Sequence, residues 1–430
     1  MATYLTRMHH ISLHVSNVDK INNDFVSKFK FHLIATRLTD RSRQLAFRTG
    51  SAVLVVNERR GNRSTASAMD GNPVVVVDTL SQKQNRDQLA GCLYDISPHY
   101  PVDTACNVCY EVEDVHGSFD ALQRLGCTFL VPPTTVHDQQ GQVIYAVLKS
   151  IVGNVCHTLI DKTKYKGSFL PGFNLVDKDH STSGDDCHVT HVDHITLACP
   201  IGFSQQVMRW YKQVFGFQRF SVNRNDNVDD GFVIHHNRKG IRLYILEYLK
   251  CPETSLAIPC EDKHELDCKF VVAESLPGEA LSERNQVDTF LEEHWGAGIQ
   301  HIALHTSDIL STTQTMMDAG VPILLHPADY YAESEKLQEI LDIGYDPQKM
   351  CKLGILLDTD TEEELLAGQA RKYLLQGFTK PLFEEDTFFL ELIERRGVAG
   401  LGEGNIKALW DCMQNYMDGA NGKDAPKTAP

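Results

Sequence analysis

No apolar run in this 430-residue sequence approaches the roughly 20 residues that a membrane-spanning helix needs, so no transmembrane segment is expected. Basic residues are scarce too. The chain has 41 Lys and Arg against 57 Asp and Glu, a formal charge of -16, which argues against the clustered cations that a nucleic-acid backbone demands. A cysteine framework is missing as well: the twelve cysteines are scattered, and the sole CxxC, Cys106-Asn-Val-Cys109, lies in a strand-like run. Free buried thiols in a reducing compartment are therefore expected, rather than a disulfide scaffold. The first ten residues hold a single arginine and leave little room for a presequence, so the compartment stays open at this point.

What the chain does contain is a repeat. Met8-His-His-Ile-Ser-Leu-His-Val15 returns as Val192-Asp-His-Ile-Thr-Leu-Ala198, each followed by a helical stretch and a Phe-rich turn (Phe29-Lys-Phe31, Phe215-Gly-Phe217). Asn107-Val-Cys-Tyr-Glu-Val-Glu-Asp-Val115, a helix to Gly126 and a strand at 128–131 return as His301-Ile-Ala-Leu-His-Thr-Ser-Asp-Ile309, a helix to Gly320 and a strand at 322–325. Val155-Cys-His-Thr-Leu-Ile-Asp161 matches Phe388-Phe-Leu-Glu-Leu-Ile-Glu394. Alternating runs rich in Val, Ile, Phe and Thr read as strands, and apolar spacings of three and four as helices. Each half is thus an α+β arrangement of two units of strand, helix and several strands. The expected boundaries are 1–164 and 188–418, with a Gly-, Pro- and Ser-marked linker at 165–187 and a disordered tail at 419–430. Further loops are expected at 58–73, 80–100 and in the acidic stretch 358–370.

Aligning the halves pairs His194 with His10, His301 with Asn107, and Glu391 with Thr158. Only the C-terminal half has two imidazoles and a carboxylate on three separate strands, the donor set of non-haem Fe(II) sites that leaves positions open for substrate and oxygen. The set His10, Asn107 and Thr158 lacks the anionic ligand and is not expected to hold metal. His188, His191 and His194 are spaced by three, but the β-branched run around them makes a strand, so the cluster should dissolve. Glu391 interrupts an apolar run, where a carboxylate is costly unless coordinated or paired; an ion pair with Arg395 or Lys380 is the bland reading. His305 shares the strand face of His301 and is a rival ligand.

With Val192-Asp-His194, these stretches resemble the 4-hydroxyphenylpyruvate dioxygenase family: Gly296-Ala-Gly-Ile-Gln-His-Ile-Ala-Leu304, Ala328-Asp-Tyr-Tyr331, Tyr373-Leu-Leu-Gln-Gly-Phe-Thr-Lys-Pro381, Phe388-Phe-Leu-Glu-Leu-Ile-Glu-Arg395 and Gly402-Glu-Gly-Asn405. Arg43-Gln-Leu-Ala-Phe-Arg-Thr-Gly50 and Gly404-Asn-Ile-Lys-Ala-Leu-Trp410 resemble its animal dioxygenase-like branch. The resemblance implies a vicinal oxygen chelate fold of the glyoxalase and bleomycin-resistance type: four βαβββ modules paired into two β-barrel-like halves. It implies Fe(II) on His194, His301 and Glu391, with 4-hydroxyphenylpyruvate and O2 as partners. Gln286, Gln300, Gln376, Phe378, Leu401, Asn405 and Ile406 would then surround the substrate.

Homogentisate-forming members place two phenylalanines where this chain has Leu401 and Ile406, and an Asn where it has Ala273. An aliphatic residue at the second place is a feature of hydroxymandelate synthases, so 4-hydroxymandelate is the expected product and homogentisate the alternative. A binding protein without turnover is a reading of a different class. The resemblance also implies mitochondria, otherwise the cytoplasm, a supply of precursor for the coenzyme Q headgroup, and a homodimer.

Overall fold

The computed structural model describes residues 4–39, 42–59, 100–176, 187–220, 231–236, 239–248, 269–277, 285–359, 372–385, 387–398, 400, 402, 404–406 and 408–409. The loops expected at 58–73 and 80–100, the acidic stretch 358–370 and the tail lie largely or wholly outside them.

Two nine-stranded sheets carry the described chain. The first contains β1 (Arg7–Val15), β2 (His32–Leu38), β3 (Ser42–Thr49), β4 (Ala52–Arg59), β5 (Thr104–Glu111), β6 (Phe129–Asp138), β7 (Gly141–Lys149), β8 (Cys156–Asp161) and β9 (Asn174–Leu175). The second contains β10 (Val189–Cys199), β11 (Gln218–Phe220), β12 (Phe232–His236), β13 (Lys239–Glu247), β14 (Lys269–Ser275), β15 (Gly298–Thr306), β16 (Leu356–Thr359), β17 (Tyr373–Phe378) and β18 (Phe389–Arg396).

The two sheets repeat one plan. In the first, β1 lies parallel to β4, β5 parallel to β8, and β1 and β5 meet antiparallel at the centre. In the second, β10 and β14, β15 and β18, and the central β10 and β15 reproduce those pairings. Because β11 and β12 both pair with β13, they act as two pieces of one edge strand, which restores the βαβββ count in that module.

Residue alternation decides what each sheet face meets. Ile11, Leu13, Val108, Ile195, Leu197, Ile302, Leu304, Leu390 and Leu392 enter one core cluster that runs continuously through both halves. Their neighbours in sequence, among them His10, Asn107, His194, His301 and Glu391, take the opposite, concave face. The helices Val18–Asn23, Val115–Arg124, Ser204–Phe215 and Ile309–Asp318 cover the core side. Three of the four start at an Asn or Asp cap whose side chain accepts a backbone N–H, as with Asp308 and Ser311.

Two expectations are corrected. Residues 322–325 form no strand: Ile323 makes only an isolated bridge to Thr379, and the helices Ala328–Ala332, Ser334–Asp342 and Pro347–Leu353 intervene before β16. Pro322 and Pro327 bracket the segment and lack the N–H groups a ladder needs. The first part of the expected linker is also packed structure. Phe169 and Leu170 are buried against the concave face of the first sheet, and β9 pairs with β2. Gly172, at φ +80, marks a turn there rather than a tether.

All seven described cysteines carry free thiols, and Cys106 and Cys109 are buried in β5. Among the described residues no helix is long and apolar enough to cross a membrane.

Candidate metal centre

His194, His301 and Glu391 sit on the adjacent strands β10, β15 and β18. In register, Ala303 lies between His194 on one side and Glu391 on the other, and His301 is one pleat away on the same face. A methyl group at position 303 keeps the space between the three side chains open. Their ligand atoms lie within 4.8 Å of one another. His194 Nε2 and His301 Nε2 are each 3.4 Å from Glu391 Oε2. Donor atoms this close converge on one point between the three side chains. The three residues are almost wholly buried. This donor set therefore fits Fe(II), and it leaves coordination positions for a substrate.

The partners of each ligand fix its orientation. His194 Nδ1 donates to Asp193 Oδ1 at 2.8 Å, and Arg395 grips the same carboxylate with Nε and Nη2 at 2.6 and 2.7 Å. His301 Nδ1 is 3.3 Å from Gln300 Oε1 and donates to it, while its ring stacks on Phe389 at 4.6 Å. Both imidazoles thus present Nε2 to the centre. Gln376 Nε2 donates to Glu391 Oε1 at 2.9 Å, and Asn405 Nδ2 donates to Gln376 Oε1 at 2.9 Å. Tyr330 Oη is 3.1 Å from Asn405 Oδ1, so a chain of polar groups ends on the carboxylate oxygen that faces away from the histidines.

Asp193 reaches His194 because of a β-bulge. The β10–β15 register steps from Val192 opposite Leu304 to His194 opposite Ala303, leaving Asp193 as the extra residue. Burial opposes ionisation of Asp193, but Arg395 and His194 hold its carboxyl well below the usual range. Burial likewise opposes the charged His194 imidazole, yet the Glu391 charge and bonds to Asp193 and Glu391 lift it to about 9. Glu391 is held down at about 2, against its burial, by His194 and His301. His194 and His301 both face the Glu391 carboxylate, so the buried acid has partners of opposite or polar character.

A cavity of about 60 Å³ adjoins the three ligands. Gln286, Gln300, Gln376, Phe378 and Ile406 line it together with Ala273. Asn405 stands behind Gln376 rather than at the wall, and Leu401 lies outside the described residues. Gln286 Oε1 and Thr196 Oγ1 are buried here with no hydrogen-bond partner, as expected of groups that meet a ligand. An engineered cavity that takes up benzene is about 150 Å³, so an aromatic substrate must displace part of this wall. Ile406 and Leu409, in the short C-terminal helical segment, supply the wall residues that come from outside the sheet's strands on this side.

The ion pair weighed between Glu391 and Arg395 is not formed: Arg395 binds Asp193. His305 stacks on His191 at 4.6 Å and stays out of the centre. Sequence reasoning missed Asp193 and Arg395 as a unit, although each departs from its repeat counterpart, His9 and Lys162.

Residues 191–347 match the Glyoxalase/Bleomycin resistance protein/Dioxygenase superfamily. The chain is 38% identical over 424 residues to a 4-hydroxyphenylpyruvate dioxygenase-like protein of Rattus norvegicus, covering 98% of this chain and 100% of that one. It is 36% identical to the Homo sapiens protein of the same name, covering 96% and 98%. A 4-hydroxyphenylpyruvate dioxygenase of Dictyostelium discoideum is 29% identical over 74% of this chain and 78% of its own. Among solved structures, a triple mutant of 4-hydroxymandelate synthase from Streptomyces coelicolor shares the fold, with TM-score 0.70 at 20% identity, covering 96% of this chain and 100% of that one.

Proposed function

The chain belongs to the family of 4-hydroxyphenylpyruvate dioxygenase-like proteins, and on that premise we propose an iron(II)-dependent dioxygenase that converts 4-hydroxyphenylpyruvate and O2 to 4-hydroxymandelate and CO2. The observation that carries the reading is the meeting of His194, His301 and Glu391 within 4.8 Å on one buried face. Fe(II) bound there couples loss of CO2 from a 2-oxo acid to oxygenation of what remains. The protein residues do the placing. Asp193, Gln300 and Gln376 fix the three ligands, and Gln286 offers a buried amide oxygen to a donor on the substrate. Ile406 and Leu409 close the cavity and keep water out.

Product choice rests on where the substrate ring lies relative to the iron. Although Phe378 and Phe389 line the cavity as well, Ile406 packs against a cluster that includes Ile241, Leu243, Val271 and Ala273, so the cavity meets aliphatic side chains there. Such a wall lets the ring draw back and present its benzylic carbon, which favours 4-hydroxymandelate. Incubation with 4-hydroxyphenylpyruvate, Fe(II) and O2, with products separated by mass spectrometry, tests this. Homogentisate as the main product would refute the proposal, and Ile406→Phe is expected to raise the homogentisate share. Mitochondrial location, supply of the coenzyme Q headgroup and a homodimer extend the proposal. Fractionation, labelling of the quinone ring from tyrosine and sedimentation check them in turn.

A further inference from the structure

A larger cavity, of about 320 Å³, is lined mainly by the other half, beside the Gly50–Ser51 turn that meets the start of β10. Arg7, Arg48 and Lys162 line it with His9, His10 and the ring of Phe169. The repeat gives these residues meaning. His10 matches His194, His9 matches Asp193, and Lys162, four residues beyond Thr158, matches Arg395, four beyond Glu391. His9 is also the extra residue of a bulge, since the register steps from Met8 opposite Tyr110 to His10 opposite Cys109. The same three-part device is therefore built twice, as Arg395–Asp193–His194 and as Lys162–His9–His10.

The second version lacks the acid. Lys162 Nζ is 3.1 Å from His9 Nε2, and His9 Nδ1 is 2.7 Å from His10 Nδ1. The nearby carboxylate, Glu111, bonds to Arg7 at 2.9 Å. Three cationic side chains thus line a cavity with no carboxylate in its wall, in a chain of net charge -16. Burial, and the positive charges around them, hold His9 and His10 well below ordinary imidazoles, His10 at about 3. Burial also lowers the Lys162 ammonium.

We propose that this cavity binds a small organic carboxylate, whose head pairs with Lys162 as Asp193 pairs with Arg395 and whose apolar body rests on Phe169. Since about 150 Å³ accommodates benzene, this cavity has room for a ring with its carboxylate. A metal is the rival occupant, because His9, His10 and Cys109 offer atoms within 4.8 Å of one another. Three arguments weigh against it. Lys162, Arg7 and Arg48 repel a cation, burial keeps the Cys109 thiol protonated, and the two Nδ1 atoms already share a proton.

Calorimetric titration of the full-length, iron-loaded protein with benzoate and with inorganic phosphate tests the proposal. Benzoate is expected to saturate a site that weakens about tenfold or more in Lys162→Met and less in Arg48→Gln at the exposed rim, and that persists in Glu391→Ala titrated without iron. The Arg48 variant guards against a folding defect in the other. No saturable benzoate binding, binding indifferent to Lys162 and Arg48, or phosphate binding in its place would overturn the proposal. So would a second equivalent of zinc that is lost in His10→Ala.

Discussion

The two halves share the pairing and register of their central strands, and at those centres they differ at a handful of side chains. At the centre of one, Ala303 is flanked by His194 and Glu391; at the centre of the other, Cys109 is flanked by His10 and Thr158. In the N-terminal copy Thr158 Oγ1 donates to Asn107 Oδ1 at 3.1 Å, so the two residues that replace ligands satisfy each other. Phe169, Leu170 and Tyr145 pack on the concave face of the N-terminal copy, whereas in the C-terminal copy a cavity bounded by Ile406 and Leu409 adjoins the three ligands. The supporting pair also loses its anion, from Asp193 with Arg395 to a neutral His9 with Lys162. The comparison teaches that the scaffold does not make a metal site. The site needs an acid, a small residue at its centre and a carboxylate behind the first histidine.

The comparison breaks hardest at its acid. Glu391→Ala is expected to remove bound iron and reduce turnover to background, whereas Thr158→Ala should leave both intact; oxygen uptake with 4-hydroxyphenylpyruvate distinguishes them. Phe169→Ala removes a buried ring from the N-terminal half and should cost about 3–5 kcal/mol in denaturant unfolding, with no gain in iron. Asp193→Asn leaves Arg395 without its ionic partner and should weaken iron binding about 10- to 100-fold, while His9→Ala should not affect it. Smallest is Gly402→Ala. Gly402 has φ +74, and a Cβ there would run into Gln376 Oε1, so the variant should lose about 1–3 kcal/mol of stability and slow turnover through Gln376 and Glu391. Wild-type stability and rate for Gly402→Ala would mean that the segment before Asn405 is not held as described.

Much of this was legible in the sequence because a twofold period and a repeat encode it. Alternation put His194, His301 and Glu391 on one face, and the copy with Asn107 and Thr158 singled them out by contrast. Legibility ended where contacts are long-range or break the period. Asp193 and Arg395 are 202 positions apart, and Asp193 reaches His194 only through a bulge that alternation cannot foresee. Phe169 sat among Gly167, Pro171 and Gly172, which read as a linker, yet its ring is buried in the first half. At 322–325 the apolar residues suggested a strand, but the flanking prolines deny it a ladder. Ala303 drew no notice, because a methyl group that leaves space carries no signal of its own.

The most direct measurement is iron content per chain in wild type, His10→Ala and His194→Ala, equivalent positions of the two halves. The account predicts one iron in wild type, one in His10→Ala and none in His194→Ala. Two irons in wild type, or iron retained in His194→Ala, would contradict it.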